Sequence, residues 1–202
     1  MVSLREMIEN RIASLEDGTV FVPADFFDIT APVNVNNILA RMNREGIIRR
    51  CMRGVYAKPY FSKALDTELI PKADDVLLAI ARRNRWDIAP CGQTALNRIG
   101  LSTQIPAVLE YVTSGPDKVY EYDGFTMRLR HRANRDMIGY SPVTRVFIQA
   151  MKALGKDSVG DITVRALSEK LTREQAVTIY DETRNTTAWI SDIAKQLKET
   201  IT

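Results

Sequence analysis

Residues 31–59 read APVNVNNILARMNREGIIRRCMRGVYAKP, and the fold turns on how this stretch is read. Val35, Ile38, Leu39 and Met42 recur at helical spacing, as expected of a helix face turned to a core. Asn34, Asn37, Arg41 and Arg44 recur on the other face. Gly46 ends the pattern, where glycine best tolerates the left-handed conformation after a helix. Ile47–Met52 and Val55–Lys58 then flank an Arg53–Gly54 turn, which predicts a two-stranded hairpin. A polar helix running straight into a basic hairpin is the pair of DNA-contacting parts in a winged helix-turn-helix. Asn and Arg suit this reading because they bond adenine and guanine edges bidentately in the major groove. Arg49, Arg50, Arg53 and Lys58 are suited to phosphates. Strand side chains alternate, so one of Arg49 and Arg50 is expected to face away from DNA. The alternative is an amphipathic helix and hairpin with a solvated polar face.

Charge is distributed in the same sense. Residues 1–40 carry two arginines against six acids, a net of −4, whereas residues 41–58 carry six cations against Glu45 alone, a net of +5. A local reversal of this kind is the electrostatic footprint of a nucleic-acid-facing edge. Upstream, Ser3 with Glu6 forms a capping box for a helix over Ser3–Leu15, with Leu4, Ile8, Ile12 and Leu15 on one face. Thr19–Val22 is extended and suited to pair with the hairpin as a third strand, and Pro23 opens a short helix. Helix, strand, helix, helix, hairpin is the winged-helix order and predicts a DNA-binding domain over residues 1–59.

Residues 60–71 show no period and read as a linker. Residues 72–202 read as a second domain. It opens on a helix at Ala73–Asn84, where Arg82, Arg83 and Arg85 complement the helix dipole. Val108–Thr113, Lys118–Tyr122 and Phe125–His131 have strand composition and turn residues between them, which predicts a small antiparallel meander. Four helical segments follow, from Thr144 to Ile201. The expected fold class is therefore α+β: an N-terminal winged helix, then an α/β lobe with a small antiparallel sheet and a helical C-terminal tail.

At 45% hydrophobic and 26% charged, the 202 residues suit one large or two small folded domains. Cys51 and Cys91 stand far apart and His131 is the only histidine, so neither a disulfide framework nor a metal site is expected. No signal peptide or bilayer-spanning run is legible, and a cytoplasmic protein without membrane contact is expected. No phosphate loop, dinucleotide fingerprint or HExxH motif occurs, nor does the Gly-Ser and paired-Asp pattern of nucleotidyltransferases. The chain thus reads as a non-enzyme without a cofactor. Leu101–Pro106, with Ser102, Thr103 and Gln104, reads as a hydrogen-bonded turn rather than an active site, since a serine nucleophile needs a positioned base. Arg128, Arg130 and Arg132, with Arg135 beyond them, form a second basic cluster. The first three alternate on one strand face, either as a surface for phosphate or an acidic partner or as a solvated sheet face.

Several blocks resemble AbiEi-like antitoxins of type IV toxin–antitoxin systems, the abortive-infection kind. They are Gly18–Phe21, Asp25–Phe26, Leu39–Arg50 and Arg53–Tyr56 in the first part. In the second part Asn97–Pro106 and Tyr111–Gly115 look like the LGLSTQ-x-P and LT-x-G blocks of that group. The resemblance covers about residues 3–155. It implies a phage-defence protein that binds double-stranded operator DNA and represses its own operon. It also implies an antitoxin that opposes a nucleotidyltransferase-type toxin without forming a stable complex with it. The alternative is a ligand-responsive winged-helix transcriptional regulator, with the second lobe sensing a small molecule.

Overall fold

The computed structural model describes residues 2–132 and 139–201. The fold is α+β, and the chain divides into two compact units: Met1–Trp86 with Tyr122–Gly124, and Asp87–Glu121 with Phe125–Thr202.

The first unit begins with α1 (Leu4–Ala13), which carries the predicted capping box: Ser3 Oγ accepts from the Glu6 amide, and Glu6 accepts from the Ser3 amide. β1 (Val20–Phe21) and a 3-10 segment at Pro23–Phe26 lead to α2 (Pro32–Arg44). Pro32 occupies the first helical position, where its missing N–H removes a donor that would be unsatisfied anyway. At the other end Gly46 adopts φ +76°, the Ile47 amide donates to Met42 O and the Gly46 amide to Asn43 O. This double closure is a Schellman motif, and it fixes where the chain turns into the hairpin. β2 (Arg49–Met52) and β3 (Val55–Ala57) form that hairpin, and β1 joins β3 to give the order β1-β3-β2. The register slips between Arg50 and Met52. Such irregularities bend and twist the strand that carries them.

Ile8, Ile12, Phe21, Phe26, Val35, Leu39, Met42, Ile48 and Tyr56 form the core of this unit. Phe21 meets Phe26 edge-on at 5.5 Å and stacks on Tyr56 at 6.2 Å. Val35, Leu39 and Met42 are fully buried, and burying each contributes about 1.5–3 kcal/mol.

The structure corrects the expected domain boundary. Residues 60–71 are not a featureless linker: β4 (Tyr60–Ser62) and β5 (Thr67–Leu69) pair antiparallel. α3 (Ala73–Asn84) belongs to the first unit, not the second. Val76, Leu77 and Ile80 bury its inner face, while Arg82 grips the Asp25 carboxylate at 2.9 and 3.2 Å and reaches Val20 O. The arginines at its end therefore do more than balance a helix dipole.

The second unit holds β6 (Ile88–Pro90), α4 (Gly92–Arg98), β7 (Val108–Thr113), β8 (Lys118–Tyr122) and β9 (Phe125–His131), then four more helices. The sheet order is β6-β7-β9-β8, with β7 and β9 parallel and in register from Val108–Thr126 to Thr113–His131. The predicted antiparallel meander is thus overturned in one pairing. β8 turns back into β9 through Asp123–Gly124 as expected, but β9 lies between β8 and β7. The segment after β7 crosses the end of β9, where His131 secures it: its amide donates to the Asp117 carboxylate and its Nδ1 donates to Gly115 O at 2.9 Å. The carbonyl can only accept, so Nδ1 carries a proton.

α5 (Pro142–Leu154), α6 (Asp161–Ser168), α7 (Arg173–Thr183) and α8 (Ala188–Thr200) follow. They are not an appended tail. Leu96 and Ile99 of the α4 region, Phe147 and Met151 of α5, Leu167 of α6, Ile179 of α7 and Ile190 and Leu197 of α8 make one continuous core.

A fragment ending at Trp86 is expected to unfold in one cooperative transition, because it retains α3. A fragment ending at Pro71 uncovers the surface that α3 covers and is expected to melt earlier and less sharply. Thermal circular dichroism on the two fragments decides this, and equal melting curves would show that α3 contributes nothing to the first unit.

Candidate nucleic-acid interface

Burial sets the rotation of α2. With Val35, Leu39 and Met42 inward, Asn34, Asn37, Arg41 and Arg44 are all exposed on the outer side. Arg41 has no side-chain hydrogen bond or ion pair among the described residues. Asn34 Nδ2 donates to Thr30 Oγ1 at 3.2 Å, and Arg44 Nε lies 3.4 Å from Ala40 O. The outer face also carries residues that the sequence pattern passed over: Val33, 69% exposed, with Asn36 and Ala40 exposed beside it. The exposure of Val33 and Ala40 was hidden because Val and Ala read as core or filler. On a groove-facing helix, such small apolar groups suit the thymine methyl.

The single acid of this basic stretch is neutralised from outside it. Arg5 of α1 donates to both Glu45 oxygens, at 3.1 and 2.5 Å. This pairing holds the Glu45 carboxyl below the usual carboxylate range, with smaller contributions from Arg41 and Arg44. The positive charge of Arg41 and Arg44 is therefore little opposed.

The hairpin cations divide into two groups. Arg50 and Arg53 are exposed, and the Arg53 side chain is unpaired among the described residues. Arg50 Nε makes a long contact, 3.4 Å, to Met52 O. Arg49 is half-buried and pairs with Glu68 of β5 at 3.1 Å, so it is the member of the Arg49–Arg50 pair that is withdrawn. Lys58 does not stand free for phosphate. Its Nζ donates to Ala13 O at 2.9 Å and Leu15 O at 2.8 Å and pairs with Asp17 at 3.0 Å. It closes the C-terminal end of α1, whose last carbonyls lack intrahelical partners. Arg83 of α3 reaches the hairpin turn, its Nη1 donating to Arg53 O at 2.7 Å. Arg83 lies thirty residues beyond the turn, and no local pattern connects them.

The second basic cluster is partly neutralised. Arg128 and Arg130 converge on Glu110 of β7, at 3.5 and 3.3 Å, and Arg132 donates to His131 O. Arg135 lies outside the described residues. Cys91 sits beside this group. Burial, reinforced by the Glu110 charge, pushes its thiol up to about 11 against the opposing pull of Arg130 and Arg132. Leu101–Pro106 is a turn knit by its own bonds: Asn97 Nδ2 donates to Ser102 O and Gln104 O, and Ser102 Oγ accepts from the Gln104 amide. Its hydroxyl is engaged locally.

Among the described residues, no group of three or more His, Cys, Asp and Glu is placed to hold a metal ion. No helix among them is long and apolar enough to cross a membrane.

Residues 7–179 match a family of unknown function, DUF6088, and the chain belongs to that family. The matched stretch runs from within α1 to within α7, so it takes in both units and leaves α8 beyond it. No curated protein matches the chain.

Cys91 is expected to alkylate about tenfold more slowly at pH 8 than an open thiol of pKa 9.0, because its pKa of about 11 leaves about a hundredfold less thiolate while the more basic thiolate is about tenfold more nucleophilic. A Cys51→Ser background isolates the rate. Alkylation at the rate of a free thiol would show that the site is neither desolvated nor influenced by Glu110.

Proposed function

We propose that the chain is a DNA-binding antitoxin that represses its own operon, with the first unit acting as a winged helix. The observation that carries the DNA reading is the outer face of α2. Asn34, Asn37, Arg41 and Arg44 are exposed together while the one nearby acid is held by Arg5. In this reading α2 enters the major groove, where Asn34, Asn37 and Arg41 read base edges. Arg44, Arg50 and Arg53 meet the phosphates, which fix register and orientation. Arg49 and Lys58 have structural partners and contribute less. Such a protein works in the cytoplasm and carries out no chemistry of its own.

The antitoxin half of the proposal rests on the resemblance of Asn97–Pro106 and Tyr111–Gly115 to the antitoxin group. The toxin opposed would be a nucleotidyltransferase encoded beside this gene, and opposition would not need a stable complex.

Two measurements test the DNA reading on the chain's own upstream promoter duplex. Arg41→Ala should weaken specific binding by about 1–3 kcal/mol, the usual worth of a bidentate base contact, with a smaller loss on unrelated duplex. With Arg44, Arg50 and Arg53 neutralising about three phosphates, log K against log salt should slope near −3 per bound unit. An Arg41→Ala protein with unchanged affinity, or a salt-independent interaction, removes the assignment. For the antitoxin half, co-expression with the neighbouring toxin gene should restore growth with the full chain and not with residues 1–86. Rescue by the first unit alone would move neutralisation there.

A further inference from the structure

The Arg53–Gly54 turn and the end of α3 fit each other. Arg83 Nη1 donates to Arg53 O at 2.7 Å. The next residue, Gly54, has φ +70°, and a Cβ built there would come within 2.8 Å of the same nitrogen. The turn thus lacks a side chain at the point the guanidinium occupies. The helix supplying that guanidinium is itself held in place. Its inner face is buried through Val76, Leu77 and Ile80, and the adjacent Arg82 clamps Asp25 with two bonds. Because a guanidinium is planar and its bond to a carbonyl is charge-assisted, it sets the orientation of the peptide plane it touches.

We propose that Arg83 is the positioning residue for Arg53, holding the tip of the wing so that the exposed Arg53 side chain meets the DNA backbone. This inference rests on the winged-helix reading above. The turn fixes its own backbone but not the direction in which the tip points, and the irregular register at Arg50–Met52 interrupts the ladder leading into it. The bond from α3 supplies the missing restraint before DNA arrives, so less freedom is lost on binding. Arg83 acts through Arg53 and makes no phosphate contact of its own.

A double-mutant cycle on the full-length protein separates these roles. Binding of a mixed-sequence duplex is measured across about 50–200 mM salt for wild type, Arg53→Ala, Arg83→Ala and the double variant, alongside thermal unfolding. Arg83→Ala should bind about three- to tenfold more weakly, the range expected for loss of one such bond. In the Arg53→Ala background the same change should have less than about a twofold effect, since only interacting residues depart from additivity. The salt slope should fall by about one in each single variant and by about one, not two, in the double. Arg83→Lys, which keeps a donor within reach of the carbonyl, should retain part of the affinity. Should Arg83→Ala fail to fold, Arg83→Met, which keeps an unbranched apolar stem but has no donor for the Arg53 carbonyl, goes through the same cycle. Wild-type-like binding by Arg83→Ala, or losses that multiply in the double variant, overturn the positioning role and leave the DNA reading standing. A wild-type protein that binds no duplex overturns both.

Discussion

Phe21 ties together three elements of the first unit. Its ring stands edge-on to Phe26 and lies against Tyr56, so one residue joins β1, the 3-10 segment and β3. Aromatic pairs of this geometry contribute about 0.5–1.5 kcal/mol each beyond the area they bury. Their larger effect is positional. They share one buried cluster with Val35, Leu39 and Met42, and that burial sets which face of α2 turns inward. The outward set of Asn34, Asn37, Arg41 and Arg44 follows from what lies beneath it.

The acids of the first unit are placed to serve the same arrangement. Asp28 receives both terminal nitrogens of Arg11, Asp25 receives Nε and Nη2 of Arg82, and Glu45 receives both terminal nitrogens of Arg5. Ion pairs at an exposed surface contribute little to stability. What these pairs do is consume negative charge on α1 and its neighbours, leaving the arginines of α2 and the hairpin tip with few carboxylates close by. The contrast between residues 1–40 and residues 41–58 is thus resolved by contacts far apart in the chain.

The elements legible in the sequence are those whose causes are local. The Ser3–Glu6 cap, the buried stripe of α2, its closure at Gly46 and the turn at Arg53–Gly54 each depend on residues a few positions apart, and each lies where the pattern put it. Charge could be counted but its use could not. Lys58 and Arg50 look alike in sequence, yet one caps α1 through Ala13 and Leu15 and the other stays exposed. α3 resembled the start of a new domain because Tyr60–Pro71 has no period, and only its packing assigns it to the first unit. Likewise, the strand segments of the second unit were evident but their neighbours were not, since pairing order is decided by contacts that no single window contains.

The order β6-β7-β9-β8 has a consequence for assembly. As the chain leaves the ribosome, β8 emerges with no strand to bond to, because its one neighbour among the described strands, β9, is synthesised after it and β7 lies one position too far away. The sheet cannot grow by adding each strand to the last. β8 and β9 zip first as a local hairpin, a microsecond event. The hairpin then docks through β9 onto the waiting β7, a step governed by contacts distant in sequence and therefore slower. His131, the last residue of β9, bonds to Asp117 and Gly115 just ahead of β8, so the same hairpin closure brings these groups together. Until residue 131 is clear of the exit tunnel, the exposed edge of β7 is the part of the nascent second unit most open to mispairing.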